Sequence, residues 1–538
     1  MGYPSGQRGQ TVNLLALRLR GFEPLSHHQR RRSLVGKRTL GKGKSTSSIL
    51  VVGSFQRRIY FISIPRLKWN MLKLPLPKRD FPPPLPFKKL LGPSFIILGV
   101  GLGSGELILW PYLSANFGLG IIWAALLGIT FQFFINMEIE RYSLVTGESV
   151  FVGAKRKFGM FSPVWFLIST LIPWAWPGII AASALIFASA FGIEYSKWVG
   201  IIFLLFLGGI YSLGRVVYRT QESVQKAIIL VGVPFVFIVT FYFAKLSDWG
   251  TLLTGLFGKG ENYYFLPKGL PIATFLAALA YAGAGGNLNL AQSLYVKEKG
   301  YGLAKYAGKL SNLFRKGEDD VKLEGYSFDE TPENIKNYKK WWWRINAEHA
   351  IVFWFTGALT MIFLSLLSFS TVYGNPGLVS GINFVFMEAQ AIAQKTHGLV
   401  GTLFLLMVSL MLFGTQFSVY GSTSRINAEN LALLLPKKFP TKHMSKYFYF
   451  FLLFQILVGI TIFSLGFTEP LRLVVIGAVL NAISMFIYSG LILWLNKTSL
   501  PKATRPSLLR TIGVLAAFLF YGGFSMFAIY NYFTGMFP

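Results

Sequence analysis

From residue 90 onward the chain alternates long apolar runs with short polar breaks. Each run is about 20 residues, the length an α-helix needs to cross a hydrocarbon core about 30 Å thick. The runs fall near 90–114, 121–140, 163–192, 198–214, 223–244, 270–294, 346–372, 398–424, 447–467, 471–495 and 509–532. They predict an all-α integral membrane protein of eleven transmembrane helices, with the termini on opposite sides of the bilayer.

Composition agrees with that pattern. Of the 538 residues 53% are hydrophobic and 14% charged, and there is no cysteine. A soluble protein of this size carries roughly a quarter charged residues. A soluble enzyme, a disordered chain and a disulfide-stapled secreted domain are therefore excluded.

The charge is strongly basic, with 52 Lys and Arg against 22 Asp and Glu, a net +30. In a soluble chain this would point to nucleic acid, but its distribution points elsewhere. Residues 1–70 hold 14 basic residues and one acid, Glu23, and contribute +13 of the total. This leader has no sustained 3.6 or 2.0 period and lacks the apolar core of a signal peptide. One reading is a disordered basic arm; the favoured one is a mis-assigned start, with translation beginning at Met71, because Gly21-Phe22-Glu23-Pro24 is what the near-universal tRNA T-arm sequence encodes in frame. Residues 71–89 then form a short N-terminal segment, followed by the membrane domain at 90–533.

After residue 70, 27 basic residues lie in loops 141–159, 215–226, 297–344, 425–446 and 497–510, and 6 in the loops on the other side. By the positive-inside rule the N-terminus is cytoplasmic and the C-terminus extracellular in a multi-pass protein of the cell membrane. The expected partner is the lipid bilayer and not nucleic acid. Trp341, Trp342 and Trp343, just before the seventh span, are expected at interface depth.

Two spans differ from the rest. The first reads Gly99-Val100-Gly101-Leu102-Gly103-Ser104-Gly105-Glu106, and the sixth reads Gly283-Ala284-Gly285-Gly286-Asn287-Leu288-Asn289, followed by Gln292. Glycine clusters weaken a helix and free its backbone groups. Inside a membrane such groups are tolerated only when buried in protein or facing a cavity. Spans one and six occupy matching places in two five-helix halves, spans 1–5 and 6–10, which is the sequence pointer to the midplane site of an inverted-repeat secondary transporter.

Candidate binding residues follow from the breaks: Gly103, Glu106, Gly286, Asn287 and Asn289, with Gln292, Gln416 and Asn481 as secondary candidates. Glu106 is the only acid within the first span, and a carboxylate at that depth is costly unless protonated, paired or bound to a cation. It is the one candidate metal ligand. No resident cofactor is expected; a divalent cation would be substrate, with a coupling proton.

On these residues the chain resembles the Nramp family of divalent-metal transporters over nearly all of 90–533. Gly92-Pro93-Ser94-Phe95 and Ala115-Asn116-Phe117-Gly118 resemble the frame of the family's first helix. Arg141-Tyr142-Ser143-Leu144-Val145-Thr146-Gly147 and Gly414-Thr415-Gln416-Phe417-Ser418 are similar to motifs of its second and eighth. The resemblance implies a LeuT-like inverted-repeat fold with broken helices 1 and 6. The metal-site motifs depart from the family. Its first-helix Asp and Asn fall on Gly103 and Glu106, its sixth-helix Met-Pro-His falls on Gly286-Asn287-Leu288, and its tenth-helix Gln falls near Gly477, one turn before Asn481. Without a soft thioether, one carboxylate with amide and backbone oxygens suits a hard, partly hydrated ion such as Mg²⁺ or Mn²⁺.

The reading is a secondary transporter moving a divalent cation into the cytoplasm by alternating access. The alternative is a proton- or sodium-coupled carrier of a small organic solute such as an amino acid. A membrane-embedded enzyme is disfavoured, because the HExxH motif is absent and the five histidines are scattered. Loop 297–345 reads as a solvated cytoplasmic segment or a docking site for a partner.

Overall fold

The computed structural model describes residues 75–87, 90, 92–213, 217–307, 321–375 and 379–534. The basic leader and the start at Met71 lie outside the described residues, as do residues 308–320 of the long loop. The described residues are helical apart from connecting segments and two isolated bridges, Lys78 with Ser327 and Lys259 with Tyr264.

The first span is α1 (Pro93–Gly101), a π-helical turn at Ser104–Leu109, and α2 (Trp110–Phe117). The second is α3 (Trp123–Thr146), followed by a short basic helix, α4 (Val150–Phe158). The third is divided into α5 (Phe161–Trp174) and α6 (Gly178–Ala190). Then come α7 (Lys197–Leu213), α8 (Val217–Phe243) and a connecting helix, α9 (Leu246–Gly255). The sixth span is α10 (Ile272–Ala280) and α11 (Ala291–Lys299). The seventh is α12 (Pro332–His349), a π-helical turn at Ala350–Phe355, and α13 (Thr356–Val372). After α14 (Asn383–Lys395) the chain ends with α15 (Gly398–Leu434), α16 (Met444–Ser464), α17 (Pro470–Ser499) and α18 (Leu508–Thr534).

Among the described residues nine helical stretches are long and apolar enough to cross a membrane. The fourth and sixth predicted spans fall short for different reasons. The fourth is the shorter apolar helix Lys197–Leu213, and the sixth is split into two helices of nine residues. Exposed Ile168, Ile172, Ile202, Leu205, Ile238 and Phe241 line the outer faces of α5, α7 and α8, as lipid-facing surface should. The 37-residue α15 packs on α1, α5, α6, α8, α14 and α16, and forms the centre of the bundle.

Two expectations are corrected. The third span is not continuous: it breaks at Ala175-Trp176-Pro177, where Pro177 cannot donate to a preceding turn. The seventh helix starts at Pro332, inside the segment read as loop 297–345. Thr331 caps it by accepting from Asn334 N at 3.3 Å, and Pro332 and Glu333 fill its first turn. The three tryptophans, consecutive on α12, have different surroundings. Trp341 is buried, with Nε1 donating to Pro82 O at 2.9 Å, Trp342 stacks under the Arg141 guanidinium at 3.8 Å, and only Trp343 is exposed.

The short N-terminal segment is tied to that helical extension. Phe81 N donates to Asn334 Oδ1 at 2.9 Å, Asn337 donates to Phe81 O at 3.1 Å, and Lys78 pairs with Asp329 at 2.6 Å. Beside it, buried Glu148 accepts from Gly325 N at 2.9 Å and pairs with Arg156, joining the end of α3 to the same segment. Burial raises the Glu148 carboxyl above its ordinary range despite Arg156 and Gly325.

Candidate functional site at two helix breaks

In the sixth span the helix stops at Ala280 and resumes at Ala291. Between them Gly283, Gly285 and Gly286 have φ of 120°, 71° and 54°, a region that only glycine enters without strain. The freed backbone is satisfied by a residue of another span. Gln132 on α3 accepts from Gly285 N at 3.1 Å and donates to Ala280 O at 3.1 Å, bridging the gap. Asn481 on α17 clamps it from the other side. Its Nδ2 donates to Tyr281 Oη at 2.9 Å, and a Cβ added at Gly286 would overlap its Oδ1. Tyr281 stacks on Trp174 of α5, with centroids 5.4 Å apart.

The first span does not unwind fully. It widens into the π-helical turn that carries Glu106, a form often found at functional sites. Its glycines let the two broken backbones touch. A Cβ on Gly101 would lie 2.9 Å from Gly283 Cα, and one on Gly105 would overlap the Tyr281 carbonyl. Gly103 faces Thr415 of α15, whose hydroxyl donates to Gly99 O at 2.8 Å.

The candidates divide into groups. Gly286 and Asn481 meet directly. Asn287 is fully buried and donates to Ser169 Oγ at 2.8 Å and Thr170 Oγ1 at 3.0 Å on α5. Asn289 donates to Tyr488 Oη on α17 at 2.9 Å. Gln292 turns away to donate to Glu140 on α3, in a separate cluster. Gln416 is buried beside Thr415 on α15. Glu106 is fully buried and faces α13, where a Cβ on Gly357 would lie 3.3 Å from its Oε1, next to Leu98 and Ile129. It makes no hydrogen bond with Asn287 or Asn289.

The unpaired atoms give the site its chemistry. Both carboxylate oxygens of Glu106 lack a hydrogen-bond partner, as do Asn287 Oδ1, Asn289 Oδ1, Asn481 Oδ1 and Gln416 Oε1. Buried polar atoms are normally satisfied, so bare acceptors such as these invite a donor or a cation. Among the described residues no three His, Cys, Asp or Glu side chains lie close enough to hold a metal. Any ion here would be held by amide, backbone and water oxygens with at most one carboxylate.

Sequence reading missed Gln132, Ser169, Thr170, Tyr281 and Tyr488. Gln132 carried a signal: it is the first amide in the second span, ahead of Asn136 and after a largely apolar stretch.

No protein-family model matches the chain, and no curated protein matches it in sequence. Solved structures match its fold. Crystal structures of two variants of a manganese transporter from Eremococcus coleocola superpose with TM-scores of 0.65 and 0.64, at 12% identity, over 86% of this chain and 92% of theirs. The same transporter in complex with an aromatic bis-isothiourea substituted compound gives 0.60 at 12% identity, with the same coverage. At this identity the likeness is one of fold. The chain is a multi-pass, all-α membrane protein with the LeuT-like fold that the resemblance, together with the paired helix breaks, implied.

Proposed function

We propose that this chain is a secondary-active transporter of the Nramp type, moving a hard divalent cation such as Mg²⁺ or Mn²⁺ into the cytoplasm by alternating access. It would cross the cell membrane eleven times, with its N-terminus inside and its C-terminus outside, as the one-sided Lys and Arg distribution supports. The observation that carries the reading is the set of unpaired oxygens at the touching breaks, Asn287 Oδ1 and the Glu106 carboxylate on them and Asn481 Oδ1 of α17 beside Gly286. Hard ions take oxygen ligands, and Mg²⁺ sheds its waters reluctantly, so amide oxygens can bind the hydrated ion while one carboxylate supplies charge. The glycines bring the two broken backbones into direct contact, at the place where one bundle would rock over the other.

A second reading, a carrier of a small organic solute, draws support from the lack of a three-residue metal cluster among the described residues. Ligand-dependent stability separates the two. A ligand present at 100 times its Kd raises stability by about 2.7 kcal/mol. On the first reading Mg²⁺ or Mn²⁺ raises the melting temperature of the wild-type chain and not that of Asn481→Leu. A rise with amino acids, and none with either ion, supports the second.

A further inference from the structure

A second polar cluster lies away from these breaks. On α12, Glu348 accepts from the Ser94 hydroxyl of α1, and His349 Nδ1 lies 2.8 Å from the same hydroxyl oxygen. That nitrogen is 3.5 Å from Glu140 Oε1 on α3, which also accepts from Gln292 of α11. The result is a contiguous polar chain, Gln292–Glu140–His349–Ser94–Glu348, across four separate helices, hydrogen-bonded except for the 3.5 Å His349–Glu140 contact. His349 is wedged between Phe133 and Phe353, with ring centroids at 5.8 and 4.7 Å. Every member is at most 2% exposed, and Glu140 Oε2, Glu348 Oε1 and His349 Nε2 have no partner.

The cluster also differs from the ion pairs nearby. Arg141 closes on Glu138 at 2.8 Å, and Lys297 reaches Glu429 at 3.5 Å, whereas Glu140 meets Gln292 and His349, and Glu348 meets Ser94, with the charges of Lys226 and Lys299 also acting on Glu348. The charged and titratable groups facing it are Tyr218, Glu222 and Lys226 of α8, Lys299 of α11, Tyr301, and Arg510 of α18. Lys226 and Lys299 both pair with Glu222, at 2.6 and 2.8 Å, and Arg510 bonds Asn346. Two ionised carboxylates sharing a dry site repel strongly, and one proton held between them removes the conflict.

We propose that Glu140, His349, Ser94 and Glu348 form a proton-binding latch that fastens the half-helices α1 and α11 to α3 and α12. Ser94 and Gln292 are the first-turn residues of the two broken halves, so the latch grips the segments that an alternating-access carrier has to move. With the proton present, His349 donates to Ser94 and Ser94 to Glu348, and the halves stay docked. When the proton leaves, Glu140 and Glu348 repel, and α1 and α11 release. The site is distinct from Glu106: His349 precedes Gly357 by eight residues, roughly 12 Å along a helix. The moving-halves interpretation rests on the carrier reading, but its test needs no substrate.

The chain has no native cysteine, so a single introduced one reports cleanly. Ser293, on α11 beside Gln292, is fully buried, and Ser293→Cys should react with a small thiol reagent only when α11 undocks. Its labelling in the reconstituted full chain, normalised to Lys437→Cys, is measured from about pH 5 to about pH 9. A one-proton latch changes the open-to-closed ratio by up to roughly tenfold per pH unit. Labelling should rise steeply with pH, and the neutral pair Glu140→Gln with Glu348→Gln should stay unlabelled throughout. Ser94→Ala, which cuts the path without removing an acid, should be labelled even at low pH. Size-exclusion profiles identify any variant that fails to fold, and Ser94→Ala then carries the test alone. Labelling that does not change with pH, or that follows Na⁺ at fixed pH, overturns the proposal. Absence of any transport would overturn the carrier reading and leave this result standing.

Discussion

Asn481 and Gly286 are in direct packing contact: the amide oxygen of span ten occupies the place where any side chain at position 286 would begin. The same amide donates to Tyr281 at 2.9 Å. One side chain on α17 thus holds both lips of the break in the sixth span. The break is a built feature, sealed on one side by Asn481 and on the other by Gln132.

Gly286→Ala should be severely disruptive. It forces a Cβ into Asn481 and places a non-glycine residue at φ 54°. Backbone strain of that kind costs about 1–3 kcal/mol before the clash is counted. Thermal unfolding in detergent should show a lower midpoint for Gly286→Ala, while Gly209→Ala, at a helical glycine with open space around it, should unfold like wild type.

Gln132→Leu tests the other seal. It strips Gly285 N and Ala280 O of their partner in a buried place. An unsatisfied buried polar group costs about 1–3 kcal/mol. The variant should unfold at lower temperature, and amide exchange at Gly285 should quicken. Unchanged exchange there would mean another group takes over the bridge.

Glu388 sets a pH dependence outside the membrane spans. On α14 it is buried, and burial raises its carboxyl from the ordinary 4.5 to about 8, with Ser368 pulling the other way. Between those values the folded chain keeps a proton that the unfolded chain has lost. Stability therefore falls as pH rises through that window, by at most ~1.4 kcal/mol per pH unit. Glu388→Gln should flatten that part of the stability profile, and an equally steep profile in the variant would show that Glu388 is not its source.

Asn334→Ala should free the N-terminal segment. Asn334 Oδ1 receives Phe81 N, and Asn334 Nδ2 donates to Asp329 O at 3.0 Å. Limited proteolysis should cut near residues 78–89, where Lys78, Arg79, Lys88 and Lys89 offer trypsin sites, faster in the variant than in wild type. Equal rates would mean the other contacts of the segment suffice.

Much of the fold was legible in the sequence because it depends on local quantities. The length of apolar runs set the spans, and the paired glycine clusters at 99–106 and 283–289 marked the two interrupted helices. The start of α12 was also there to be read in Thr331-Pro332-Glu333, an N-cap followed by proline and an acid. The partners across the bundle were not legible. That Asn287 meets Ser169 and Thr170, or that Gln132 spans the gap at Gly285, depends on contacts more than a hundred residues apart in the chain. The orientation of Glu106 was hidden for another reason. The glycines predicted a break, but whether the chain unwinds or widens into a π-helical turn decides which helix the carboxylate faces. The widened turn aims it at Gly357.

The central claim is that a hard divalent cation crosses at the two touching breaks. Uptake into proteoliposomes loaded with the wild-type chain, Glu106→Gln or Asn481→Leu, offered Mg²⁺, Mn²⁺, Ca²⁺ or amino acids in turn, tests it most directly. The account predicts saturable uptake of Mg²⁺ or Mn²⁺ by wild type and at least a tenfold loss in both variants, about 1.4 kcal/mol or more in transport efficiency. Uptake of an amino acid with no uptake of any divalent ion would contradict it.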